Sequence, residues 1–96
     1  MEEIIYNKEK LCEFLKKMII ETLRIEDITP GDIENEAPLF REGLGLDSID
    51  ALELVVAIEK TFNIIIEDED VGKKAFVSIN ALAGFIQDGY KRALTN

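Results

Sequence analysis

The sequence predicts an all-α fold, a four-helix bundle with three main helices, a short third helix and a long first loop. Three observations predict it. Apolar side chains recur at helical spacing over Leu11–Leu23, Ala51–Phe62 and Ile79–Tyr90. Residues suited to capping, Asn7, Asp47 and Ser78, stand within one helical turn or so before these runs. Between the first two runs, residues 25–46 hold two prolines and three glycines without sustained periodicity.

The first helix is expected from about Asn7 to Arg24. Its apolar stripe is Leu11, Phe14, Leu15, Met18, Ile19 and Leu23, with Asn7 as N-cap and Tyr6 placed to staple onto Leu11. Cys12 lies at the edge of that stripe and reads as a small buried hydrophobe, since no basic cluster surrounds it in sequence. The following loop is long for a compact domain. A short turn is expected near Pro30 to Ile33, and burial of Ile28, Ile33, Leu39, Phe40, Leu44 and Leu46 would order the connection against the bundle.

A second helix is expected from Ser48 to Phe62, with Asp47 as N-cap and Asp50 favourable near the positive end of the dipole. Ala51, Leu54, Val55, Ile58 and Phe62 form one stripe that should face the core. Ile49, Leu52 and Val56 form another, nearly opposite. Two outcomes are open for the second stripe. Either the helix lies centrally and is packed on both sides, or the stripe is exposed as a docking strip rimmed by Asp47, Asp50, Glu53 and Glu59. Beyond Phe62 the helix should break over Asn63 to Ile66, and a short third helix should start within Glu67–Asp70 and end near Phe76. Ser78 then caps a fourth helix presenting Ile79, Leu82, Phe85, Ile86 and Tyr90, with Val77 as a staple for Leu82 and a frayed tail from Leu94.

Length and charge narrow the function. Ninety-six residues suit a single domain over 1–96, and 47% apolar residues without a long apolar run suit a soluble protein without stable membrane insertion. The N-terminus shows neither a basic segment nor a secretory apolar core, and the lone cysteine agrees with a reducing compartment, so a cytoplasmic location is expected. The chain has no histidine and no zinc-like or EF-hand spacing, which leaves it without the usual neutral-pH acid–base group and without a metal site. A net charge of −9 opposes nucleic-acid binding. The charge is uneven: from Asp47 to Asp70, eight carboxylates stand against one lysine, a net −7, whereas the segment from Val71 onward is net +3. Basic protein partners suit that acidic centre.

Gly43-Leu44-Gly45-Leu46-Asp47-Ser48-Ile49-Asp50 places one serine where a glycine-containing loop enters this acidic helix. A hydroxyl there is accessible to a second protein, and a phosphate attached to it would lie beside unpaired N–H groups of the helix N-terminus. Together with Leu52-Glu53-Leu54-Val55-Val56-Ala57-Ile58-Glu59 and Phe62, the segment resembles the attachment motif and recognition helix of acyl carrier proteins. The order of helices and the long first loop extend the resemblance to nearly the whole chain.

The resemblance implies a non-enzymatic carrier that holds acyl intermediates as thioesters on a 4'-phosphopantetheine arm, attached to Ser48 by a phosphopantetheinyl transferase from coenzyme A. It implies service in fatty-acid, polyketide or specialised lipid biosynthesis, as a monomer, to acyl-transfer, condensing and reducing enzymes with basic docking patches. Partner contacts carried over are Asp47, Ile49, Asp50, Leu52, Glu53, Val56 and Glu59, while Leu54, Ile58, Phe62 and Ile66 would line or adjoin a shelter for the acyl chain. Lys60, and the apolar Ile64-Ile65 pair, depart from the most familiar fatty-acid pattern. The rival reading is an unmodified acidic helical adaptor docking onto a basic partner. A serine hydrolase lacks its histidine base and any oxyanion-hole motif.

Overall fold

The computed structural model describes residues 2–39 and 47–95, and these contain five α-helices and no strand. They are α1 (Glu2–Ile5), α2 (Lys8–Leu23), α3 (Ser48–Phe62), α4 (Glu69–Ala75) and α5 (Ile79–Thr95), with a 3-10 turn at Pro30–Asp32. No helix among the described residues is long and apolar enough to cross a membrane.

Local chemistry sets each helix end. Asn7 caps α2 by accepting from the Lys10 N–H at 3.1 Å, Asp68 caps α4 through the Val71 N–H at 2.9 Å, and Ser78 caps α5 through the Ala81 N–H at 3.1 Å. α3 stops at Asn63, whose left-handed backbone (φ 55°) ends the hydrogen-bond ladder. Asparagine tolerates that conformation better than most side chains. The fourth helix is longer than expected: α5 continues through Gly84, Gly89 and Leu94 to Thr95, because packing of its apolar face outweighs the modest propensity cost of two glycines. Of the two proposed staples, the inner partners Leu11 and Leu82 are fully buried and the outer ones keep about half of their surface. Tyr6 is half exposed and meets the edge of the Tyr90 ring at 5.8 Å, and Val77 remains exposed while Leu82 is fully buried.

The core joins Leu11, Leu15 and Ile19 of α2, Leu54, Ile58 and Phe62 of α3, Ala75 and Phe76 from the end of α4, and Ile79, Leu82 and Ile86 of α5. Phe14 meets Phe62 edge-on at 5.8 Å, tying α2 to α3. The four residues expected to adjoin an acyl shelter, Leu54, Ile58, Phe62 and Ile66, all belong to this buried cluster. Cys12 is buried too, and desolvation raises its thiol pKa above the ordinary value.

The four-residue α1 is an addition to the sequence reading. Ile5 is fully buried, the Gln87 side chain donates to its carbonyl at 2.9 Å, and the Tyr90 hydroxyl donates to Glu2 at 2.9 Å. These bonds fasten the N-terminus to α5, a pairing 82 to 88 residues apart in sequence.

The described part of the long loop is ordered, as expected. Asp32 accepts from the Thr29 N–H at 2.9 Å, and Ile33 and Leu39 enter the core. Asn80 supplies the main anchor: its N–H donates to the Asn35 carbonyl and its side-chain amide donates to Glu36, while the Leu39 N–H reaches the Val77 carbonyl. Ile28 is half-buried and packs against the core, while Phe40, Leu44 and Leu46, the other apolar candidates for fixing the loop, lie outside the described residues.

Candidate functional site

Asp47 begins α3 with a reciprocal capping box. Its Oδ1 accepts from the N–H groups of Ile49 and Asp50, each at 3.0 Å, and Asp50 Oδ2 accepts from the Asp47 N–H at 3.1 Å. Ser48 is the first helical residue and is exposed. The expected unpaired donors beside it are a point of correction. Three of the first four N–H groups, those of Asp47, Ile49 and Asp50, are already taken by the two aspartates.

That saturation bears on what Ser48 can hold. A phosphodiester on its oxygen would find three of those four backbone donors occupied, with only the Ser48 N–H not taken by either aspartate, so the helix start offers the group few hydrogen bonds. An exposed hydroxyl with that surrounding fits a tether that projects into solvent. It does not fit a buried cofactor. The Gly43-Leu44-Gly45-Leu46 approach to it lies outside the described residues.

The second stripe of α3 is exposed, which decides between the two outcomes the sequence left open. Ile49, Leu52 and Val56 keep 70%, 64% and 43% of their surface, whereas Leu54 and Ile58 on the opposite stripe keep none. Asp47 and Glu53 are exposed beside the strip and Asp50 is half-buried. Glu59 differs from its neighbours: it is half-buried, and its Oε2 accepts from the Ile66 N–H at 2.9 Å. Its carboxylate thus secures the α3–α4 connection.

One exposed residue escaped the sequence reading. Ile64 and Ile66 turn into the core, leaving Ile65 between them 77% exposed. The signal was present, since an extended backbone sends alternate side chains to opposite sides and three consecutive isoleucines cannot all face inward. By contrast, an open depression of about 550 Å³ lined by Ile4, Asn7, Glu9, Lys10, Glu13, Phe14 and Lys17 belongs to the α1–α2 face and shares no residue with this site.

Comparison with known proteins agrees with the geometry. Residues 13–86 match the family model described as the phosphopantetheine attachment site. Over 63 residues, the chain is 41% identical to the acyl carrier protein of Wolinella succinogenes, an alignment covering 66% of this chain and 78% of that protein. An exposed serine at the head of an acidic helix, a helical bundle beneath it and these two matches lead to one conclusion: the chain belongs to the acyl carrier protein family, carriers of a phosphopantetheine group rather than catalysts.

Proposed function

We propose that Ser48 is the residue that bears the 4'-phosphopantetheine arm, and that the face formed by Asp47, Ile49, Asp50, Leu52, Glu53 and Val56 docks the enzymes that load and unload it. The observation carrying this reading is the exposure of Ser48 at the first turn of α3, contiguous with an apolar strip that remains largely exposed despite lying on a core helix. Large side chains left exposed in a row suit a surface covered transiently by partners. The acidic rim adds steering toward basic patches, raising encounter rates and discriminating among partners more than it raises affinity.

When attached, the arm supplies a terminal thiol on which acyl groups are held as thioesters. The chain's own residues do simpler work. Asp47 and Asp50 fix the turn from which the Ser48 oxygen projects, and the strip orients an incoming enzyme toward that oxygen. The partners proposed are a phosphopantetheinyl transferase and acyl-transfer, condensing and reducing enzymes of fatty-acid, polyketide or specialised lipid biosynthesis. Their chemistry, and the reducing environment suggested by an unpaired cysteine, suit a monomeric carrier domain in the cytoplasm.

Intact-mass analysis after incubation with a promiscuous phosphopantetheinyl transferase, coenzyme A and Mg²⁺ tests the assignment. One arm should add to the wild type and none to Ser48→Ala. Failure of the wild type to gain mass would favour an unmodified acidic adaptor, and addition to Ser48→Ala would place the arm elsewhere.

A further inference from the structure

We infer that Ile65 extends the docking strip of α3 onto the α3–α4 connection, and that Glu59 is the positioning residue that holds it there. The inference deepens the docking role proposed above and rests on it.

Ile49, Leu52 and Val56 follow one another at helical spacing along one side of α3, and Glu59, three residues beyond Val56, is the next position on that side. There the exposed apolar row ends, but Glu59 does not point free into solvent. Its carboxylate accepts from the Ile66 N–H at 2.9 Å, which draws the connection against the C-terminal end of the same stripe. With Ile64 and Ile66 buried on either side, Ile65 can only face outward, and at 77% exposure it is the most exposed large apolar side chain described. The apolar row therefore runs Ile49, Leu52, Val56 and then Ile65, with Glu59 acting as the clasp between helix and connection.

The occupant is an acyl-handling enzyme whose docking patch combines basic residues with an apolar recess long enough to reach past the C-terminal turn of α3. Charge complementarity argues for this partner over a second copy of the chain. The segment from Asp47 to Asp70 carries eight carboxylates and one lysine, so two such faces would repel on approach while a basic face would be drawn in. An isoleucine at this place adds apolar contact beyond the acidic helix, and enzymes lacking the matching recess would be disfavoured. Ile65 is thus a specificity-determining residue.

The test uses the arm-bearing chain and the condensing enzyme of its native host. Ile65→Ser should raise KM for the carrier about fivefold, the effect of losing partial burial of one isoleucine, with little change in kcat. Glu59→Ala should raise KM similarly by releasing the connection. Glu59→Gln should restore most of the loss, because its amide oxygen can still accept from the Ile66 N–H. If Gln proves as harmful as Ala, the carboxylate acts as a docking charge and the clasp is refuted. An unchanged KM for Ile65→Ser, with unchanged helical content, would refute the extended strip, and so would loss of wild-type self-association in that variant on analytical ultracentrifugation. Calorimetric titration of the unmodified chain into the same enzyme reads the surface without the arm, so failure of Ser48 to be modified and failure of this surface are separately visible.

Discussion

Replacing Asp47 separates two contributions, because the same carboxylate caps α3 and carries charge on the face proposed for docking. Asp47→Ala removes an acceptor that satisfies two backbone donors, Ile49 and Asp50, each at 3.0 Å. It also breaks the reciprocal box, leaving Asp50 as its remaining half. Loss of such a cap costs about 1 kcal/mol, within a range of roughly 0.5–2. For a protein of this size that lowers Tm by about 4–8 °C. Asp47→Asn keeps the side-chain oxygen and removes only the charge. Asparagine caps nearly as well as aspartate, so the expected cost is a few tenths of a kcal/mol, or about 1–3 °C. Thermal unfolding followed by far-UV circular dichroism reads both values. Docking should rank the variants differently: association with a basic partner at low salt falls for Asn and Ala alike, since both lack the charge. Equal Tm losses for the two substitutions would refute the capping argument, and an Asn variant that docks like wild type would refute the charge argument.

Three further outcomes follow from the geometry. Gly84→Ala should stabilise the protein by about 1 kcal/mol in chemical denaturation, because a Cβ there meets nothing within 4 Å while α5 gains helix propensity; a loss of stability would contradict the packing described. Cys12 should resist alkylation at pH 8 in the folded protein and react promptly in denaturant, since burial raises its pKa and excludes reagent; comparable rates in both states would be inconsistent with its position. The Tyr90 hydroxyl has its pKa raised chiefly by its hydrogen bond to Glu2, so the contribution is fully present below about pH 10 and is lost as pH rises through the folded-state value. Tyr90→Phe should therefore weaken the decline of stability above pH 10, and an identical pH profile would discount that bond.

Much of the candidate site was legible because its determinants are local. Asp47 as cap, Ser48 as the first helical residue and the split of α3 into two apolar stripes depend on neighbours within a turn, where hydrogen-bond donors must be satisfied and side chains recur every 3.6 residues. The same holds for Asn7 and Ser78. What the local pattern could not convey was how completely the aspartates occupy the first-turn donors, since that depends on side-chain rotamers as well as residue type. It also could not show which isoleucine of Ile64-Ile65-Ile66 faces solvent, because that depends on which of them the core beneath takes in.

By itself, then, the sequence determined the helices α2 to α5, the caps of α2, α3 and α5, the acidic centre and the serine at its head, because each follows from short-range spacing and charge. Tertiary structure decided which apolar stripe was left uncovered, where α1 docks, and how the long loop is held by Asn80 and Val77. Those outcomes depend on contacts between residues far apart in the chain, such as Gln87 with Ile5 and Asn80 with Asn35 and Glu36. Burial is a property of what lies opposite a side chain. No pattern along one helix can state what lies across from it.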